Sequence, residues 1–166
     1  MSNKNLTILG IVAVLMAIWA VAQSHVSNMS RTETEGPSYL IQGLDPADID
    51  SIVLTGGEEP VTLKRQQGKF VVVNKDNYPA KASEINNLIT KVLEIQTSQF
   101  VTDNAANHED LGLTEENATA SIKFFKSDSS LLTGVISGKK KELGQGSYVR
   151  LASNDAVYVA PSMPYI

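Results

Sequence analysis

Lys139-Lys140-Lys141, followed closely by Gly144-Gln145-Gly146, is the cluster whose residue types come nearest to a recognisable chemistry. Lysines and the free backbone amides of a glycine loop are what a phosphate cradle uses. Such a loop opens a helix, however, and the residues after Gly146 alternate as a β-strand does. A solvated hairpin tip is therefore the expected structure. His25 and His108 are the only histidines and lie far apart, so no spaced metal-ligand set can be read, and both are expected at the surface. His108-Glu109-Asp110 contains acid-base groups, but neighbouring side chains point in different directions, and acids at the start of a short helix are ordinary capping chemistry. Arg150, beside Tyr148, offers a planar guanidinium that suits an anionic partner or a carboxylate across a sheet; both residues are candidate partner contacts. The triplets at Asn5, Asn28 and Asn117 match the glycan acceptor pattern, which matters only in a eukaryotic secretory pathway. No catalytic residue, cofactor or metal is expected.

The elements that would position these residues begin with an apolar run. Leu6 to Ala22 is seventeen residues long and carries no charge. As a helix it would cover about 25 Å, the short end of a bilayer core, and Gln23 to Val26 can extend it. Ala20-Val21-Ala22 before Gln23 also fits a signal-peptidase site, but the run is longer than a usual signal core, and Trp19 sits where an interfacial aromatic would. An uncleaved anchor over residues 1–26 is expected. Lys4 and the amino terminus precede the run, which places the N-terminus in the cytoplasm and the rest in the periplasm of a bacterial inner membrane. Gly10, Ala13, Ala17 and Ala20 recur at three- and four-residue steps, a small face on which another transmembrane helix can pack closely.

Only Lys4 among the charged residues falls in the first thirty, so the remainder has 13 basic and 18 acidic residues and a formal charge of −5. That balance argues against a nucleic-acid binder. With no cysteine, the domain has neither disulfides nor thiolate sites, and packing alone must hold it. Residues 27–43 read as a polar tether, and residues 44–166 are enough for one compact domain.

Within that domain, Ile52 to Leu54, Val61 to Lys64 and Phe70 to Val73 predict three antiparallel strands, separated by Gly56-Gly57 and Gln67-Gly68. The period then changes. Ile85, Leu88, Ile89, Val92 and Ile95 predict one amphipathic helix from about Ser83, with Leu88 and Val92 buried. A short strand near Gln99, a helical turn from Asn107 to Leu111 ended by Gly112, and four further strands predict a second antiparallel sheet. The fold class is α+β: antiparallel sheets packed with one main helix, behind a single transmembrane helix.

This order resembles the bacterial domain-of-unknown-function family 4340, some members of which look like gliding-motility-associated ABC transporter auxiliary components. The resemblance runs from about Ile49 to Val159. It is carried by Ile52 to Leu54, Gly68-Lys69-Phe70, Pro79-Ala80, Leu111-Gly112-Leu113, Val135-Ile136-Ser137-Gly138, and above all Gly146-Ser147-Tyr148-Val149-Arg150 with Asp155-Ala156-Val157-Tyr158-Val159. Phe70, Lys81 and Asn117 depart from the pattern, which favours Trp, a capping Asp and Pro at those places. The resemblance supplies no catalytic residues and implies a non-catalytic accessory or assembly subunit, with other membrane-protein subunits and the lipid bilayer as partners. The alternative is a periplasmic ligand-binding or substrate-delivery module of a transporter.

Overall fold

The computed structural model describes residues 38–57 and 59–164. The expected membrane segment, with its Gly10, Ala13, Ala17 and Ala20 face, and His25 lie outside the described residues. Among those described, no helix is long and apolar enough to cross a membrane.

The strands are β1 (Ser38–Tyr39), β2 (Ser51–Thr55), β3 (Val61–Gln66), β4 (Lys69–Val72) and β5 (Tyr78–Pro79), then, after the helix, β6 (Gln96–Thr97), β7 (Gln99–Thr102), β8 (Ala120–Phe125), β9 (Leu131–Lys140), β10 (Ser147–Leu151) and β11 (Val157–Ala160). The helices are α1 (Ala82–Leu93) and the single turn α2 (His108–Leu111). The two expected meanders are present but do not form separate sheets. They join in one nine-stranded sheet, ordered β5-β4-β3-β2-β8-β9-β10-β11-β7, because β2 pairs with β8 through Ile52 opposite Phe124 and Leu54 opposite Ile122. The physical reason is that each meander alone would leave an apolar edge strand unpaired, and joining them satisfies both edges at once.

One face of this sheet carries Ile52, Leu63, Ile122, Phe124, Val135 and Val149, which pack with Ile85, Ile89 and Val92 of α1 in the main core. Leu88, expected to be buried, is only half-buried; the fully turned-in positions are Ile85, Ile89 and Val92. The helix starts at Lys81, whose backbone is extended but whose side chain makes no capping hydrogen bond.

Residues 38–43, read from sequence as the end of the tether, belong to the folded body. β1 pairs with β6, and Leu40 and Ile41 are buried in the main core. Burial of these two apolar side chains outweighs the polar character of the residues before them. Tight turns set the strand registers. Gln67 and Gly68, both at positive φ, close the two-residue β3–β4 hairpin.

Candidate interaction surface

Tyr148 and Arg150 project from β10 to the sheet face opposite α1, where the loop after α2 covers a second core of Leu113, Ile136 and Val157. Leu113 and Val157 are fully buried. Among the described residues the Arg150 guanidinium pairs with no carboxylate: Nε donates to the Leu113 carbonyl at 3.0 Å and Nη1 to the Leu151 carbonyl at 3.1 Å. Tyr148 packs its ring against the same cluster.

The loop can lie this low because Gly138 of β9 has no side chain. A Cβ there would stand 2.3 Å from the Leu111 carbonyl oxygen and 2.8 Å from that of Gly112. Gly112, at φ 69°, ends α2 in the left-handed region, and the Leu113 amide closes back on the His108 carbonyl at 2.8 Å. The scattered words Leu111-Gly112-Leu113, Val135 to Gly138, Tyr148 to Arg150 and Val157 therefore meet in one place, and what they make is a packed joint.

His108 corrects the expectation of a surface histidine. It is buried, and its Nε2–H donates to the Asp155 carbonyl at 3.0 Å, tying α2 to the β10–β11 turn. Glu109 and Asp110 beside it are exposed. Among the described residues, no group of three or more His, Cys, Asp or Glu could hold a metal ion.

Tyr39, Phe100 and Leu143 are exposed around one end of the sheet, while Tyr78 and Leu131 are exposed elsewhere on it. β9 ends at Lys140, opposite Ser147; Ser147 lies opposite Ala160, and the neighbouring Val159 opposite Gln99, where β7 begins. The chain enters the fold there, Ser38 lying opposite Thr97. The β9–β10 connection forms a glycine-containing tip followed by a strand, as expected. Leu143 on it is 84% exposed. Gly144 and Gly146 take positive φ. Lys141 Nζ reaches from the tip to Gln99 Oε1 at 3.0 Å, next to Phe100, which is 45% exposed and set edge-on to Tyr158.

An open, mainly apolar cleft of about 440 Å³ lies beside the C-terminal end of α1, lined by Tyr39, Ile41, Leu44, Thr90, Leu93 and Glu94, with Tyr39 half-exposed. A second cleft of about 350 Å³ runs from Lys91 and Glu94 to Pro161 and Pro164. At the opposite end of β9 is the turn after Phe125, where hydrogen bonds from the Ser130 side chain and backbone, with nearby Lys126, hold the exposed Asp128 carboxyl below the usual carboxylate range.

The lateral edges of the sheet are poor templates for strand addition. β5 is two residues long and contains Pro79, while β7 is bulged at Val101, since Phe100 pairs with Tyr158 but Thr102 with Val157.

Residues 71–164 match the family described as "Domain of unknown function (DUF4340)". The match takes in the helix and the second meander; the earlier words, Ile52 to Leu54 and Gly68 to Phe70, precede it. No curated protein and no solved structure gives a significant match to the chain.

Proposed function

Because the chain belongs to the DUF4340 family of domains, for which no reaction is defined, we propose from its own residues that it is a non-catalytic, membrane-anchored accessory subunit of a larger bacterial membrane complex. One observation carries this reading. The polar groups best suited to chemistry are engaged in holding the fold, Arg150 on the Leu113 and Leu151 carbonyls and His108 on that of Asp155. The apolar run from Leu6 to Ala22 supplies the anchor, with the N-terminus in the cytoplasm and the domain in the periplasm. Its small face offers a packing surface for another subunit's helix. The resemblance to auxiliary components of gliding-motility-associated transporters agrees with such a role.

Solubilisation of bacterial membranes in a mild detergent, followed by mass spectrometry of what co-purifies, tests the proposal. Integral membrane subunits should accompany the chain in fixed proportion. Recovery of the chain alone, or with only abundant unrelated proteins, overturns it. The apolar cleft between Tyr39 and Leu93 favours a second reading, a periplasmic ligand-binding or delivery module, since small ligands bind in concave apolar sites with a few polar groups. Stoichiometric small-molecule density or mass released on denaturing the purified chain would favour that module.

A further inference from the structure

The β9–β10 tip combines features that a buried joint or an ordinary turn does not require. Leu143 is 84% exposed at its apex. Lys139, Lys140 and Lys141 precede it in a domain whose net charge is negative. Two of these lysines are fixed in place, Lys139 Nζ on the Asp110 carbonyl at 2.8 Å and Lys141 Nζ on Gln99 Oε1 at 3.0 Å, while Lys140 is exposed. Glu142 in the tip and Asp110 beside Lys139 are the acids nearest to them in sequence and contact.

The tip also lies at the end where the chain enters. Gln99, which Lys141 holds, is two residues beyond Thr97, and Thr97 pairs with Ser38, the first described residue. The fifteen residues from Gln23 to Pro37 separate that entry from the apolar run. On the anchored reading, those fifteen residues are the whole of the chain between the bilayer and this end of the domain.

We propose that the β9–β10 tip is a membrane-contact element, in which Leu143 enters the interfacial layer and the lysines engage anionic phospholipid headgroups. The proposal rests on the anchored reading for the position of the bilayer. Each lysine held near an anionic surface attracts it, an effect that falls away within a Debye length and with added salt. The exposed apolar residue adds a contribution that salt does not screen.

The chain has no cysteine, so a single label can be placed cleanly. Full-length Leu143→Cys, carrying an environment-sensitive dye, is reconstituted into vesicles of phosphatidylcholine alone or of equal parts phosphatidylcholine and phosphatidylglycerol. A blue shift of emission is expected in the anionic vesicles, reduced by salt and by Lys140→Glu, which leaves the Lys139 and Lys141 hydrogen bonds in place. Gln66→Cys, at the end of β3 away from the tip, should give the same emission in both lipids. Equal emission from the Leu143 label in the two lipids, or a shift insensitive to Lys140→Glu, overturns the proposal. Alkaline extraction of the same vesicles separates the two readings. Retention without a dye shift removes the tip contact and keeps the anchor, whereas extraction with a persistent shift on anionic vesicles removes the anchor and keeps the tip contact.

Discussion

Arg150 Nε donates to the carbonyl oxygen of Leu113 at 3.0 Å, bridging β10 to the loop that leaves α2. Leu113 itself is fully buried, so this carbonyl sits where water has little access and its partner matters. Replacing Arg150 with Met keeps much of the stem and removes both hydrogen bonds. The expected loss is about 1–3 kcal/mol in denaturant unfolding, with Arg150→Lys intermediate because an ammonium cannot span both acceptors. An Arg150→Met protein of unchanged stability that no longer co-purifies with its complex would instead assign the guanidinium to a partner.

The main core gives a second expectation. Ile89 is 5% exposed between α1 and the sheet, and Asn87 is exposed on the far side of the helix. Ile89→Ala should cost about 2–5 kcal/mol through lost burial and an unfilled cavity. Asn87→Ala should be near neutral. Equal unfolding midpoints for the two variants would contradict the observed helix orientation.

At the start of the same helix, Lys81 occupies the cap position with extended backbone and no side-chain hydrogen bond, and Glu84 stands three residues on. Lys81→Ser completes a reciprocal cap, its hydroxyl accepting from the Glu84 amide while the Glu84 carboxylate reaches back. A gain of about 1 kcal/mol is expected, read as a higher denaturation midpoint. No gain would show that the Lys81 stem already contributes as much by packing as a cap would.

These comparisons also show what was legible in the sequence. α1 was readable because Ile85, Ile89 and Val92 recur within one short window, and the Gln67-Gly68 hairpin because its turn chemistry is local. The union of the meanders was not, since Ile52 meets Phe124 across a separation that leaves no local pattern. The burial of His108 leaves no local sign for the same reason: its acceptor, the Asp155 carbonyl, belongs to a distant turn. Leu40 and Ile41 carried a signal in their own apolarity, masked by the polar stretch before them. Arg150 stands out by its type, but its acceptors are backbone carbonyls, and side-chain types alone do not reveal those.

The remaining expectation concerns attachment, which the accessory-subunit reading places on the Gly10, Ala13, Ala17 and Ala20 face. Side chains three and four residues apart share one side of a helix, and small ones let two backbones approach where bulky ones hold them apart. Replacing Ala13 and Ala17 with Leu keeps the segment hydrophobic enough to insert, so a loss of association reports packing and not targeting. Ile11→Leu and Leu15→Ile serve as controls away from that row. Quantitative mass spectrometry of detergent-solubilised complexes should show the doubly substituted chain losing its co-purifying subunits while the controls retain theirs. If all three associate equally, the row of small residues is merely compositional, and the contact must be sought on the folded domain, where Tyr39, Tyr78, Phe100 and Leu143 are among the exposed apolar side chains.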